Sequence, residues 1–101
     1  PGCDAIFIGP NDLRFQMRTP EGTFPTPEEH EAKIQRVIEI GKQVGTPTGI
    51  HAMDPRAALE RAEQGMQFIA VGSELRMMTQ SAQDALKLLH PEEAAEDIAR
   101  Y

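Results

Sequence analysis

A carboxylate, Asp12, follows closely on a short apolar run near the start of the chain. The run covers residues 5–8 and stops at Gly9-Pro10, a pair that is typical of a turn after a strand. A carboxylate held rigidly just past a strand is suited to binding a hard divalent cation such as Mg²⁺. The alternative is an aspartate that caps the turn by accepting backbone N–H bonds. The residue types leave both interpretations open.

Polar residues also lie at the ends of the two other apolar segments. His51, near the end of residues 47–52, has the chemistry of a general base, a substrate contact or a metal ligand, or is a hydrogen-bonded histidine at a strand end. Two further polar residues follow residues 66–71, at the start of a predicted helix. Glu74 either orients a substrate or complements the dipole of that helix. Ser73 either binds an anion together with Gly72 or caps the helix. Ligands of parallel α/β folds bind at the carboxyl ends of the strands, so these are candidate site residues.

Other residues with chemical potential have simpler interpretations. Arg14 and Arg18 either bind a carboxylate of a substrate through the paired hydrogen bonds that arginine forms, or they are solvated surface arginines. Cys3 is expected to be a buried, inert residue, and Asp4 a structural hydrogen-bonding one. Four methionines are expected to fill the core: Met53, Met66, Met77 and Met78.

Three strand-like segments alternate with three helical patterns, and together they would position these residues. The strands are predicted at residues 3–8, 47–52 and 66–71, and the helices at residues 27–44, 55–64 and 74–89. A loop is predicted for residues 13–25, and a short last helix after Pro91. The helix at 74–89 is expected to turn one stripe inward: Leu75, Met78, Ala82, Ala85, Leu86 and Leu89.

The helix at 27–44 has the clearest ends. Thr26, Pro27 and Glu29 supply an N-cap, a proline at the first helical position and a capping-box glutamate. Gly45 is suited to a left-handed C-cap.

The order β-α-β-α-β-α predicts an α/β fold with parallel strands joined by right-handed crossovers. A complete (β/α)₈ barrel takes roughly 250 residues, whereas this chain has 101. A three-stranded parallel sheet would leave both outer strands with unpaired backbone groups. The chain is therefore expected to be a single-domain fragment, residues 1–101, that is cut from a barrel or assembles with copies of itself.

Composition excludes several classes of protein. Ten basic and sixteen acidic residues give a net charge of −6, which argues against a nucleic-acid partner. The apolar runs are far shorter than the ~20 residues of a membrane-spanning helix, and no secretory leader opens the chain. The single cysteine excludes an internal disulfide and favours a reducing, cytoplasmic setting.

Three segments resemble the HpcH/HpaI family of aldolases and lyases. They are D-A-I-F-I-G-P-N-D-L at residues 4–13, G-I-H-A at residues 49–52 and F-I-A-V-G-S-E at residues 68–74. The resemblance implies the sixth to eighth units of a TIM (β/α)₈ barrel. It also implies cleavage or formation of a carbon–carbon bond beside a 2-oxo acid, with an aldehyde partner and Mg²⁺, Mn²⁺ or Co²⁺. No Schiff base is involved, and a homo-oligomer is expected.

The resemblance also assigns roles to residues. Asp12 is the aspartate metal ligand, the backbone amides of Asn11 and Asp12 approach the pyruvate carboxylate, and His51 lines the aldehyde side. The family's second metal ligand, its histidine base and its oxo-acid-binding arginine have no counterpart in this chain, and Glu74 stands where an aspartate is usual. Two alternatives remain: a non-catalytic partial barrel that self-associates, or an acyl-CoA lyase of the same superfamily.

Overall fold

The computed structural model describes residues 2–91, which divide into a compact unit that ends at Val71 and another that begins at Gly72. The elements are β1 (Ile6–Ile8), α1 (Pro10–Gln16), α2 (Pro27–Val44), β2 (Thr48–Ala52), α3 (Pro55–Glu63), β3 (Phe68–Val71) and α4 (Glu74–Leu89). The helix predicted after Pro91 lies outside the described residues.

The three strands form one open parallel sheet in the order β1-β2-β3, which confirms the predicted α/β alternation. Ile50 at the centre pairs with Ile8 on one side and Ile69 on the other. All three strands are shorter than predicted: β1 begins at Ile6, β2 at Thr48 and β3 at Phe68.

The prediction of a loop for residues 13–25 is partly wrong, because helix α1 occupies Pro10–Gln16. Pro10 stands at the first helical position, where its missing N–H costs no hydrogen bond and its fixed φ suits a helix. Leu13 packs against the buried core, which gives this short helix a tertiary anchor. Asp12 therefore lies in the first turn of a helix, and not on a tight turn.

Helix α2 has the predicted bounds and both predicted caps. The Glu29 amide donates to Thr26 Oγ1 at 3.2 Å, and the Thr26 amide donates to Glu29 Oε2 at 2.8 Å. Gly45 ends the helix with φ +73°, a left-handed conformation that glycine adopts without steric cost.

One face of the sheet carries the core. Ile8 and Ile50 pack there against Ile34 and Ile38 of α2, and Met66 completes the buried cluster. These side chains hold α2 against the strand that leads to His51 and the strand that leads to Asp12.

The opposite face of the sheet is apolar and open to solvent in the described chain. Phe7 and Phe68 flank Gly49 in register, and their rings stack with centroids 5.7 Å apart. A Cβ at Gly49 would collide with the Phe68 ring and carbonyl oxygen, so the rings lie over a bare backbone. Phe7 is 50% exposed, so β1 is covered on one face only among the described residues.

A bidentate ion pair joins α2 to α3. Arg61 donates from its two terminal nitrogens to the two carboxylate oxygens of Glu31, at 2.5 and 2.7 Å. These hydrogen bonds are the main reason that the pKa of Glu31 falls from 4.5 to about 2; a bond from Gln35 also lowers it, and partial burial opposes both. Arg61 is only 17% exposed, whereas 45% of the Glu31 side chain reaches solvent.

We expect Glu31→Gln to lower the free energy of unfolding at pH 7, because it removes the charge that pairs with Arg61. The loss is expected to be only about 1 kcal/mol, because solvent reaches the Glu31 carboxylate and screens the pair. Because the folded-state pKa is lowered, the ionised carboxylate stabilises the fold above pH 4.5, and this contribution is lost as the pH falls from 4.5 towards 2. Urea unfolding at several pH values would show the difference between wild type and variant shrinking over that range.

Glu39→Gln is the matched control, because the Arg36–Glu39 pair is more than half exposed on both sides. It is expected to change stability by less than about 0.5 kcal/mol at any pH. Equal losses in the two variants would contradict a special role for the Glu31–Arg61 pair.

Helix α4 has its predicted bounds, but none of its residues is buried. Its apolar stripe is exposed, and Met77 and Met78 do not fill a core, contrary to expectation. The apolar spacing predicted that one face of α4 is covered. The structure describes no other helix or strand in the unit that begins at Gly72, so that unit offers no described element to cover it. None of the helices in residues 2–91 combines the length and apolar character that crossing a bilayer requires.

Candidate functional site

Asp12 and His51 belong to the same edge of the sheet. Strand β1 ends at Ile8, which pairs with Ile50, and His51 is the next residue of β2. Asp12 follows β1 by four residues, in the first turn of α1. Parallel strands end on the same side of a sheet, so the topology brings both predicted site residues to its carboxyl edge.

The Asp12 carboxylate is exposed and does not cap helix α1. Gly9 is the N-cap residue of α1, and no side chain donates or accepts a capping bond there. Within residues 2–91, no hydrogen bond or ion pair engages the Asp12 side chain. The alternative that Asp12 is a capping residue is therefore wrong.

Gly9 provides the space into which that carboxylate folds. A Cβ placed on Gly9 would lie 2.6 Å from Asp12 Oδ2 and 3.4 Å from Asp12 Cγ. No ordinary side chain tolerates so short an approach, so glycine is required for this carboxylate position. The sequence shows the Gly-Pro pair, but the contact became visible only once α1 was known to be a helix.

His51 is half-buried in β2, opposite Ala70 of β3. Since side chains alternate along a strand, it shares the sheet face of Gly49, and not the face that packs on α2. The histidine thus lies on the open face of the sheet, near its carboxyl edge.

His30, to which the sequence assigned no role, ties two helix starts together. Its Nε2 donates to the carbonyl oxygen of Pro10 at 3.0 Å, across a sequence separation of twenty residues. This bond joins the beginning of α2 to the first residue of α1, and so restrains the turn that carries Asp12.

Three other predicted roles can be compared with the structure. Ser73 caps α4 by accepting from the Arg76 amide at 3.2 Å, and Glu74 stands in the first turn of that helix, so both fit their structural interpretations. Asp4 is exposed and makes no hydrogen bond among the described residues, contrary to expectation. Cys3 is also exposed, because β1 begins only at Ile6.

Residues 2–91 contain no group of three or more histidine, cysteine, aspartate or glutamate side chains placed to hold a metal ion. Asp12 supplies one exposed carboxylate, which is the donor type that hard divalent ions prefer. The described residues thus fit one ligand of such an ion.

Comparison with known proteins finds a group of aldolases that are similar to this chain. The chain is 35% identical over 99 residues to a 2-dehydro-3,6-dideoxy-6-sulfogluconate aldolase of Pseudomonas putida, with 98% of this chain and 38% of that protein aligned. The relatives found are aldolases of the HpcH/HpaI family, to which this chain is similar. The match covers the C-terminal part of its relatives, as the sequence motifs predicted.

Two further relatives in the HpcH/HpaI family support this. A hydroxypyruvate/pyruvate aldolase of Chromohalobacter salexigens is 35% identical, with 85% of this chain and 33% of that protein aligned. A 4-hydroxy-2-oxo-heptane-1,7-dioate aldolase of Klebsiella pneumoniae is 33% identical, with 81% of this chain and 30% of that protein aligned. The chain thus spans about a third of the length of these curated relatives. No family profile and no solved structure matches it.

Proposed function

We propose that the chain forms the C-terminal part of a metal-dependent aldolase that breaks or makes a carbon–carbon bond beside a 2-oxo acid. Support comes from its aldolase relatives and from the parallel βα units that carry the three family motifs. In this proposal β1, β2 and β3 are the sixth to eighth strands of a (β/α)₈ barrel. The remaining strands come from another segment or another chain, and the enzyme is a cytoplasmic homo-oligomer.

The observation that carries the proposal is the Asp12 carboxylate. It is exposed at the carboxyl edge of the sheet, has no protein partner among residues 2–91 and rests on the bare Cα of Gly9. Asp12 would hold a divalent ion (Mg²⁺, Mn²⁺ or Co²⁺) together with ligands from outside the described residues. Such an ion supplies Lewis-acid stabilisation of the charge that develops on the 2-oxo oxygen as the bond breaks.

Other residues of the same edge would orient the substrates. The backbone amides of Asn11 and Asp12 face no acceptor within α1, since the first intrahelical bond runs from Leu13 to Gly9 at 2.9 Å. The family resemblance assigns them to the carboxylate of the 2-oxo acid. His51, on the open face of the neighbouring strand, would line the space for the aldehyde.

Proton exchange at the methyl group of pyruvate tests the proposal without knowledge of the aldehyde. In D₂O the enzyme carrying this chain is expected to exchange these protons when Mg²⁺, Mn²⁺ or Co²⁺ is present, and to stop when the ion is chelated. Nuclear magnetic resonance measures the loss of the methyl signal. Exchange that continues unchanged in excess chelator would contradict metal dependence, and absence of exchange with all three ions would contradict the proposed reaction.

A second candidate function is a non-catalytic partial barrel that self-associates. It is favoured by the open sheet face with Phe7 and Phe68, and by the unpaired edges of β1 and β3. Pyruvate proton exchange separates the two, because a non-catalytic partial barrel would give none. In analytical ultracentrifugation, a folded monomer at micromolar concentration would contradict self-association.

We expect Gly9→Ala to weaken metal binding about tenfold while leaving stability within about 1 kcal/mol of wild type. Gly9 has φ −88°, which alanine adopts without strain, but the new methyl group displaces the Asp12 carboxylate by steric contact. Titration with Mn²⁺ measures the affinity, and urea unfolding the stability.

Gly22→Ala is the control for that variant. Gly22 has φ +87° and no atom within 4 Å of a Cβ, so alanine there strains the backbone without touching Asp12. It is expected to lower stability and leave Mn²⁺ affinity unchanged. Unchanged affinity in Gly9→Ala would show that the position of the carboxylate does not depend on Gly9.

A further inference from the structure

Two arginines lie close behind Asp12 in the chain. Arg14 is in α1, two residues after Asp12, and Arg18 follows the C-cap residue Met17. They are four residues apart, with Arg14 inside α1 and Arg18 just past its end. Both are exposed.

Two phenylalanine rings hold these arginines. The guanidinium carbon of Arg14 lies 4.4 Å from the ring centroid of Phe24, and that of Arg18 lies 5.0 Å from Phe15 and 5.6 Å from Phe24. Phe15 and Phe24 meet edge to face, with centroids 5.3 Å apart. We call these four residues the arginine–phenylalanine cluster.

A closed turn brings Phe24 back to α1. The Thr19 amide donates to the Thr23 carbonyl at 3.0 Å, the Gly22 amide to the Thr19 carbonyl at 2.9 Å and the Thr23 amide to Thr19 Oγ1 at 3.2 Å. Three hydrogen bonds within five residues fix the approach of Phe24. The arginine–phenylalanine cluster is therefore held by backbone structure at both of its ends.

Stacking on a ring leaves the edge of a guanidinium group available for hydrogen bonds in its own plane. Arg18 Nε donates to the Phe15 carbonyl oxygen at 3.1 Å, so its terminal nitrogens remain for another acceptor. Within residues 2–91 neither Arg14 nor Arg18 pairs with a carboxylate, whereas Arg36 and Arg61 both do. Two cations held against the same Phe24 ring thus have no carboxylate partner among the described residues.

We propose that Arg14 and Arg18 together bind an anionic group of the second substrate: a carboxylate, a sulfonate or a phosphate. Guanidinium groups recognise such oxyanions through paired, charge-assisted hydrogen bonds, and stacking lowers the entropy lost on binding. That the anion belongs to a substrate rests on the proposed function. Under it, the names of two relatives fit this chemistry, since a heptane-1,7-dioate and a 6-sulfogluconate carry an acidic group at each end.

Direct titration tests the site without turnover. Resonances of the Arg14 and Arg18 side-chain Nε–H groups are followed while succinate, inorganic phosphate or the neutral succinamide is added to the protein in the presence of EDTA. We expect both resonances to shift saturably with succinate or phosphate and not with succinamide. Because the experiment needs no metal, its result does not depend on whether Asp12 binds an ion.

Variants locate the binding. Arg14→Gln and Arg18→Gln are each expected to weaken succinate binding about tenfold. Arg56→Gln, an exposed arginine near the start of α3, is the matched control and is expected to leave it unchanged. Circular dichroism checks that all three variants stay folded. Arg14→Lys keeps the charge without the planar fork, and is expected to recover only part of the affinity.

The outcomes separate the anion's source. Tighter binding of succinate than of phosphate supports a carboxylate substrate, and the reverse supports a phosphate group such as that of an acyl-CoA nucleotide. Absence of saturable shifts with either anion would overturn the proposal, as would an equal loss of affinity in Arg56→Gln. If the shifts appear but pyruvate exchange does not, the anion site stands and the proposed aldolase reaction fails.

Discussion

Replacement of Asp12 by asparagine is expected to lower metal-dependent exchange of the pyruvate methyl protons by about 10²- to 10⁴-fold. Asparagine keeps the size of the side chain but removes the negative charge that attracts a hard divalent ion. The expected range corresponds to the several kcal/mol that a Lewis acid contributes to a developing oxyanion. The measurement is exchange in D₂O by nuclear magnetic resonance, with Mn²⁺ affinity determined on the same samples.

Asp4→Asn is the matched control for this prediction. Asp4 is also an exposed carboxylate without a hydrogen-bond partner among residues 2–91, but it precedes β1 and therefore belongs to the opposite end of the strand. It should leave exchange and Mn²⁺ affinity at the wild-type level. Undiminished exchange in Asp12→Asn would remove this residue from the metal site, and an equal loss in both variants would indicate a general effect of surface charge.

The sequence predicted best where the signals are local. Thr26, Glu29 and Gly45 define the ends of α2 through contacts with near neighbours, and those ends are confirmed. Helix α1 was missed although Pro10 stands at its first position. A Gly-Pro pair after a strand is equally typical of a turn, and what decides for the helix here is the packing of Leu13 on a core assembled from distant residues.

Burial was predicted less well, because an apolar pattern shows which face should be covered and not whether a cover is present. Phe7 belongs to the apolar run at residues 5–8, and Leu89 to the apolar stripe of the helix at residues 74–89. Both are exposed in the described chain. Under the proposed function, the open face of β1 is completed by strands that residues 2–91 do not contain.

The position of the candidate site residue Asp12 followed from the sequence, but its surroundings did not. Asp12 stands after β1, as predicted. Its lack of a partner and its contact with Gly9 depend on a side-chain conformation that only the helix determines. Likewise, Glu31 and Arg61 are thirty residues apart, so no local pattern reveals that they pair.

The largest loss of stability is expected from Ile34→Ala. Ile34 is a residue of α2 that is 2% exposed, and its side chain belongs to the buried cluster that contains Ile8 and Ile50 of the sheet. Removing three buried carbon atoms loses their transfer free energy and leaves a cavity, which together cost about 3 kcal/mol. Since this cluster holds α2 against the strands that lead to Asp12 and His51, the same change should also weaken Mn²⁺ binding.

Ile40→Ala provides a control with the same chemistry in the same helix. Ile40 is 39% exposed, so its truncation removes fewer buried contacts and opens no enclosed cavity. Its cost is expected to stay below about 1 kcal/mol. Urea unfolding of both variants, with the slope compared to wild type, measures the difference directly. Similar losses at the two positions would mean that α2 does not pack on the sheet through Ile34, and the arrangement that brings Asp12 and His51 to one edge would lose its physical basis.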